Sequence, residues 1–482
     1  MRRCAWFATA RPAQVALWFA ALEGSERPVT WAELDERSTQ VAHGLAARGV
    51  ATGDRVAVGL RNSPALIESV IGTWKLGATP VPLRWDLPAW EQQRVLEVID
   101  PTVHLGADAV DWVDGTRALG TEALPEAVAP FTHGICSSGS TGTPKVILID
   151  RPGTWDDTIG QPFPAAWLEV PRPQVVLVPA PMYHTNGFMA LYNLLAGDTL
   201  VLMEKFDAAR VVDLVERHRV STFTATPTML QRIADLPGID ERDLSSVVWV
   251  LQGAAGIASS LVRRWLDLVG PEHFFMSYGM TEGLGLACLR GDEWLEHPGS
   301  VGRGYRETEI RIKATDGGLL PSGELGEIWL RSPSTGMYRY LGGGEGTAPS
   351  LTTDADGFST AGDLGILDEE GYLTIVDRRV DMVVTGGANV YPAEVENALI
   401  EHPGIADVVV IGLADPEWGR RVHAIVEAAD PAAPPSEADV IAFAKQHLAA
   451  YKAPKTVEVV DAIPRSEATK VSRSALVEAR GG

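Results

Sequence analysis

Apolar and polar residues recur along the chain in two periods that alternate from about residue 30 to residue 278. Thr30, Trp31, Ala32 and Glu33 have the spacing of a capping box, in which a hydroxyl and a carboxylate satisfy the free amides at a helix start. An amphipathic run follows, and Gly49 is placed to end it. Residues 54–60 then read as a buried strand. Ser63 and Pro64 open a second helix, Gly77 closes it, and 79–83 is again strand-like. Apolar runs return at 174–178, 199–203, 221–225 and 247–251, each followed by a helical stretch. Strands separated by helices pair in parallel, so the pattern predicts an α/β fold of mostly parallel sheets covered by helices.

Beyond about Gly302 the pattern changes. Residues 309–312 and 326–330, set off by Asp316-Gly317-Gly318 and Pro321-Ser322-Gly323, predict antiparallel strands joined by turns. Residues 332–358 are rich in Gly, Ser, Thr and Pro and predict a surface excursion. From Tyr391 a compact α+β unit is expected, with helices at 392–400 and 437–448 and strands at 406–411 and 421–426. The resulting division is a large N-terminal domain, residues 1–378, with a small β region, and a small C-terminal α+β domain, residues 379–482.

Composition narrows the function classes. The 482 residues carry 41 Lys+Arg against 63 Asp+Glu, a formal charge of −22. That balance argues against a broad nucleic-acid interface, which needs a basic face. It leaves room for an anionic ligand held by backbone amides and a few placed cations. Cys4, Cys136 and Cys288 are too far apart for a metal knuckle or a disulfide framework. No apolar run approaches the length of a membrane span. A cytoplasmic protein without a membrane span is expected.

The most informative stretch runs Cys136-Ser137-Ser138-Gly139-Ser140-Thr141-Gly142-Thr143-Pro144-Lys145. Small residues let a backbone curl around an anion, the hydroxyls add donors and Lys145 adds a point charge. Pro144 stands where a Walker A loop has Gly before its Lys. On composition alone a polar surface loop fits equally well. Four further segments bear on that choice. Tyr278-Gly279-Met280-Thr281-Glu282-Gly283 follows the apolar run 273–276. Asp363 lies in Ser359-Thr360-Ala361-Gly362-Asp363, and Asp377-Arg378-Arg379-Val380-Asp381 precedes Thr385-Gly386-Gly387-Ala388-Asn389. In this order and spacing the set resembles the motifs of the adenylate-forming enzymes: acyl-CoA synthetases, peptide-synthetase adenylation domains and luciferases. The resemblance extends over nearly the whole chain.

The resemblance implies ATP, Mg2+ and coenzyme A as reactants and cofactor, and a mobile C-terminal domain. It makes Ser137, Ser138, Gly139, Ser140, Thr141, Gly142 and Lys145 the phosphate loop. Tyr278 and Gly279 are implied beside the adenine, Thr281 and Glu282 at the phosphates and Mg2+, Asp363 at the ribose hydroxyls, and Arg378 at ribose and phosphate. Lys470 is implied as the mobile lysine of adenylation. Arg379 and Val380 would form the hinge, and Gly386, Gly387 and Ala388 a narrow thiol tunnel. Three positions depart from the family pattern: Val146 and Thr469 stand where Gly is usual, and Val380 where the hinge commonly has Asp or Lys.

For the acid, His184 takes the place where amino-acid-activating relatives carry an Asp, as in acyl- and aryl-CoA synthetases. The resemblance places His184, Asn186, Phe188, Gln252, Gly253, Ala254, Ala255 and Gly256 around the acyl group. The small residues at 253–256 predict a roomy, largely apolar cavity. The segments around Lys145 and His184 are most similar to bile-acid–CoA ligase relatives, which take bulky polycyclic acids. The expected activity is an ATP-dependent acyl-CoA ligase acting through an acyl-adenylate. The alternatives are an enzyme that only makes a thioester from a preformed acyl-adenylate, or one that loads an acyl carrier protein. A non-catalytic nucleotide-binding protein is disfavoured by Lys145, Glu282, Asp363, Arg378 and Lys470 standing together.

Overall fold

The structure, a computed structural model, describes residues 2–137, 145–156, 158–341, 351–378, 381–385, 388–416, 418–465 and 471–481. A nine-stranded sheet organises the large N-terminal domain. From one edge its strands are Arg303–Tyr305, Leu286–Arg290, Phe274–Gly279, Trp249–Gln252, Thr222–Ala225, Val175–Val178, Thr199–Met203, Val15–Ala20 and Glu26–Thr30. The strands from Phe274–Gly279 to Val15–Ala20 in that order are parallel to their neighbours, and only the edges are antiparallel. Apolar side chains cover both faces, as a parallel sheet requires. On one face Leu177, Val201, Phe223 and Val250 meet Val212, Leu230 and Trp265; on the other Val176, Leu200 and Leu202 meet Leu191 and Leu194.

A smaller parallel sheet, Thr79–Pro82, Arg55–Val58 and Val103–Leu105, packs with the helices Trp31–Ala47 and Pro64–Lys75. The capping box at the first helix is present: the Glu33 amide donates to Thr30 Oγ1 at 3.2 Å, and the Thr30 amide to Glu33 Oε2 at 2.7 Å. Gly49 follows that helix with φ +90°, a conformation in which a Cβ would be strained.

The β region contains Glu309–Lys313 paired antiparallel with Gly326–Arg331, as expected, and Asp363–Leu367 paired with Leu373–Arg378. The C-terminal domain joins the antiparallel pair Ile405–Asp415 and Gly419–Ala428 to Thr456–Val460, with the helices Pro392–Leu399 and Glu437–His447 packed on them. Its own core includes Val395, Leu399, Val410, Ala424 and Val440.

Two departures from the sequence reading matter. Val15–Ala20 and Glu26–Thr30 form a hairpin that extends the large sheet beside Thr199–Met203. No helix follows the first of these strands, so the βα rhythm does not reveal it. The 332–358 excursion is not all surface loop. Tyr338–Leu341 is a strand paired antiparallel with Lys145–Ile149, which itself pairs with Gly134–Ser137. Four residues of strand carry almost no periodic signal, and only the partner strand specifies them.

Candidate active site

Tyr278, Gly279 and Gln252 lie at the carboxyl ends of parallel strands, where open α/β sheets place their ligands. Phe274–Gly279 delivers Tyr278 and Gly279 and runs into the turn carrying Thr281 and Glu282. The Tyr278 hydroxyl donates to Asp363 Oδ2 at 2.7 Å. Asp363 is nearly fully buried at the first position of its strand, directly across the ladder from Arg378. The two residues belong to adjacent strands of one hairpin, and the register sets their backbones opposite each other.

Thr281 Oγ1 lies 3.1 Å from Thr185 Oγ1, which ties the glycine turn to the segment after His184. Glu282 Oε1 accepts a 2.8 Å hydrogen bond from the Tyr340 hydroxyl. Lys145 Nζ stands 5.5 Å from the centre of the Tyr340 ring, within cation–π range. Burial pushes the Tyr340 phenol up from its ordinary value, and the neighbouring Glu282 carboxylate adds to the rise. Tyr340 therefore stays a donor. The sequence reading missed it, because it lies in the segment taken for a surface excursion. The backbone of Ser137 pairs with Lys145, so one hairpin brings together the two residues that flank 138–144.

The strand Trp249–Gln252 ends at Gln252, which is buried and donates through Nε2 to the Ala255 carbonyl at 2.6 Å. Ser277 Oγ donates to the Gln252 carbonyl at 3.3 Å. Gly253 is buried, whereas Ala254, Ala255 and Gly256 are exposed; Ala254 has φ +79°. His184 precedes the short helix Thr185–Phe188 and is half-buried, its ring 4.6 Å from that of Tyr183. Gly187 allows that turn to pack, since a Cβ there would meet the Pro181 carbonyl oxygen at 2.3 Å. Asn186 lines a small cavity of about 40 Å³ with Val178, Met189, Asn193, Phe223 and Trp249, to which none of residues 252–256 contributes. Phe188 is fully buried in the core, its ring 4.6 Å from His133 and 6.1 Å from Trp74.

Ala388 pairs with Thr385 across the short Val383–Thr385 and Ala388–Val390 hairpin. The expected residues Ser138, Gly139, Ser140, Thr141, Gly142, Arg379, Val380, Gly386, Gly387 and Lys470 lie outside the described residues. The chain on either side of Lys470 is held by arginine forks. Arg465 donates twice to Asp407, both at 2.7 Å, and Arg473 donates to both Glu396 oxygens at 2.8 Å and to Asp381 at 3.2 Å. Among the described residues no cluster of three or more His, Cys, Asp or Glu could hold a metal by itself.

Comparison with known proteins decides the family. The AMP-binding enzyme model matches residues 4–132 and 134–341, and the AMP-binding enzyme C-terminal domain model matches 394–470. The chain belongs to the AMP-binding, adenylate-forming enzymes. It is 34% identical to a feruloyl-CoA synthase of Amycolatopsis sp, over 96% of each chain. It is 32% identical to a fatty acid–acyl-carrier-protein ligase of Streptomyces coeruleorubidus, over 93% of this chain and 91% of that one. A propanoyl:CoA ligase of Mycobacterium tuberculosis, whose acyl group bears a methyl-dioxo-octahydroindenyl ring system, is 33% identical over 95% of both. Among solved structures, Bacillus subtilis o-succinylbenzoate CoA synthetase with its acyl-adenylate superposes with a TM-score of 0.84 at 28% identity, covering 98% of this chain and 97% of that one. The same enzyme with ATP and magnesium gives 0.82 at 27% identity and 99% coverage of each. The expected class, an AMP-forming acid–thiol ligase on a mixed α/β fold, holds. No described helix is long and apolar enough to cross a membrane.

Proposed function

We propose that this adenylate-forming enzyme activates a carboxylic acid with ATP and passes the acyl group to the thiol of coenzyme A. The observation that carries the reading is the convergence, at one end of the sheet, of the Tyr278–Asp363 pair with the Lys145–Tyr340–Glu282 array. Asp363, held by the Tyr278 hydroxyl, is suited to accept ribose hydroxyls, and Arg378 is paired with it by register. Lys145 and the amides of the Ser137–Gly142 loop are suited to phosphate oxygens.

Mg2+ fits this donor set: Glu282 offers one hard carboxylate and Thr281 a hydroxyl, and Mg2+ commonly takes few protein ligands beside phosphates and water. When bound it would neutralise phosphate charge. A carboxylate and a triphosphate repel each other, so placed cations have to lower the barrier as the substrate carboxylate attacks the α-phosphate. In this reading Lys470 supplies the cation between the two reacting groups. Residues 379–482 form a small domain that turns about Arg379 and Val380 after adenylation. The turn withdraws Lys470 and brings Gly386, Gly387 and Ala388 over the thiol path.

For the acid we favour a bulky, apolar and ring-bearing body. It would enter past His184 and lie against Gln252, Gly253, Ala254, Ala255 and Gly256. The small side chains at 253–256 and the ring-bearing acyl group of the M. tuberculosis relative support this. The Streptomyces coeruleorubidus relative favours a carrier-protein thiol as a second acceptor.

Lys470→Ala tests the reading. Acyl-adenylate formation should fall about 10²–10³-fold, the scale of losing one placed electrostatic group. Thioester formation from supplied acyl-adenylate and CoA should persist. Equal loss in both half-reactions would overturn the role. A hydroxamate-trapping screen over aliphatic, aryl and polycyclic acids identifies the acid, and parallel runs with CoA and a carrier protein identify the acceptor.

A further inference from the structure

We infer that Tyr340 is a positioning residue for the metal–triphosphate end of this site, acting through Glu282 and Lys145. The inference rests on the proposed roles of those two groups. Its observations are independent of them.

Tyr340 reaches both groups from one ring. Its hydroxyl donates to Glu282 Oε1 at 2.8 Å, and its face lies 5.5 Å from Lys145 Nζ. Backbone pairing sets this geometry. Tyr340 stands opposite Ile147 in the antiparallel ladder. Side chains two apart on a strand share a face, so Tyr340 comes to the side of the strand that carries Lys145. The Tyr338 ring, 5.2 Å away at an interplanar angle of 72°, buttresses it edge-on. Tyr338 is fixed in turn by the Leu351 amide, which donates to its hydroxyl at 3.3 Å.

The physical consequence is preorganisation. A free glutamate samples several rotamers, and Mg2+ demands near-ideal octahedral geometry, so a carboxylate held in advance binds the ion with less ordering cost. With Oε1 engaged by the phenol, the carboxylate is restrained in advance, and its other oxygen would be the one available to hold the ion. The ring does the same for Lys145, giving its ammonium a seat on the aromatic face beside the phosphate loop. A phenylalanine would keep the seat and lose the hydroxyl, whereas an alanine would lose both. The two functions are therefore separable.

The test measures binding, with activity as a secondary readout. Calorimetric titrations of MgATP, and of AMP without metal, are run on wild type, Tyr340→Phe, Tyr340→Ala and Glu282→Ala. Tyr340→Phe should weaken MgATP about threefold to tenfold, less than the loss of a direct hydrogen bond to a charged group, because the hydroxyl acts on the ion only through Glu282. AMP binding should be unchanged, because AMP needs neither Glu282 nor Lys145. Tyr340→Ala should weaken MgATP further. In steady state Tyr340→Phe should raise the Mg2+ concentration needed for half-maximal rate more than it lowers kcat. An unchanged MgATP affinity in Tyr340→Phe, with Glu282→Ala impaired, overturns the positioning role and leaves the proposed function standing. Parallel loss of MgATP and AMP affinity in Tyr340→Phe also overturns it, since that marks a general structural role. If Glu282→Ala itself binds MgATP normally, the assignment of Glu282 fails, and the inference with it.

Discussion

Asp363 shows how one buried polar residue can be both a structural and a functional commitment. A carboxyl group removed from water is costly unless hydrogen-bonded, and the Tyr278 hydroxyl supplies one such bond at 2.7 Å. If the carboxylate also accepts ribose hydroxyls, each charge-assisted bond contributes about 1.5–3 kcal/mol. Asp363→Ala should then weaken AMP and ATP by at least about tenfold, since 1.4 kcal/mol is about a factor of ten. Tyr278→Phe keeps the carboxylate and should cost less. Calorimetry with AMP checks this, and unchanged affinity in Asp363→Ala removes the residue from the nucleotide site.

At the scale of elements, the turn after Trp249–Gln252 is the clearest case of a connection with a job. Gln252 spends its side chain on the Ala255 carbonyl, which closes the turn locally and leaves Ala254, Ala255 and Gly256 open. Ala254 is a poor place to add bulk, because its φ of +79° already strains any side chain. At Gly256 φ is outside the left-handed region, and an added Cβ would meet nothing within 4 Å. Gly256→Trp should therefore fold normally and crowd the acyl group proposed to lie against this turn. Activity with a bulky polycyclic acid should fall at least tenfold, while a small aryl acid keeps most of its rate. Both acids belong in one assay. Equal retention of the two would mean that this turn does not border the acyl group.

For the whole molecule, the large core contains a titratable group that links its stability to pH. His133 is buried, stacked near Phe188, with Nδ1 3.1 Å from the Tyr192 hydroxyl. Burial lowers its pKa from 6.5 to about 3. The unfolded chain binds this proton below about pH 6.5 and the folded chain does not. The contribution of His133 is thus fully present above pH 6.5 and is lost as the pH falls from there toward 3. One such proton corresponds to about 1.4 kcal/mol per pH unit within that window. His133→Phe should lower stability at pH 7.5, where the Tyr192 hydroxyl loses its partner, yet flatten the fall between pH 6.5 and 5. Urea midpoints at both ends of that range measure it. A variant as acid-sensitive as the wild type would show that His133 does not set the slope.

Much of this architecture is legible in the chain itself, because local physics writes it there. The capping box at Thr30, the glycine after its helix and the apolar runs near 175, 199, 222 and 249 are decided by neighbours a few residues away. The motif set carried the family, and the motif glycines and charged residues could be named in advance. Tertiary structure alone decided the rest. Val15–Ala20 joins the large sheet, Tyr338–Leu341 becomes a strand, and Asp363 meets the Tyr278 hydroxyl only through the packing of distant segments. Tyr340 reaches Glu282 and Lys145 for the same reason. Strand register is a cooperative property of two segments, and neither sequence alone contains it.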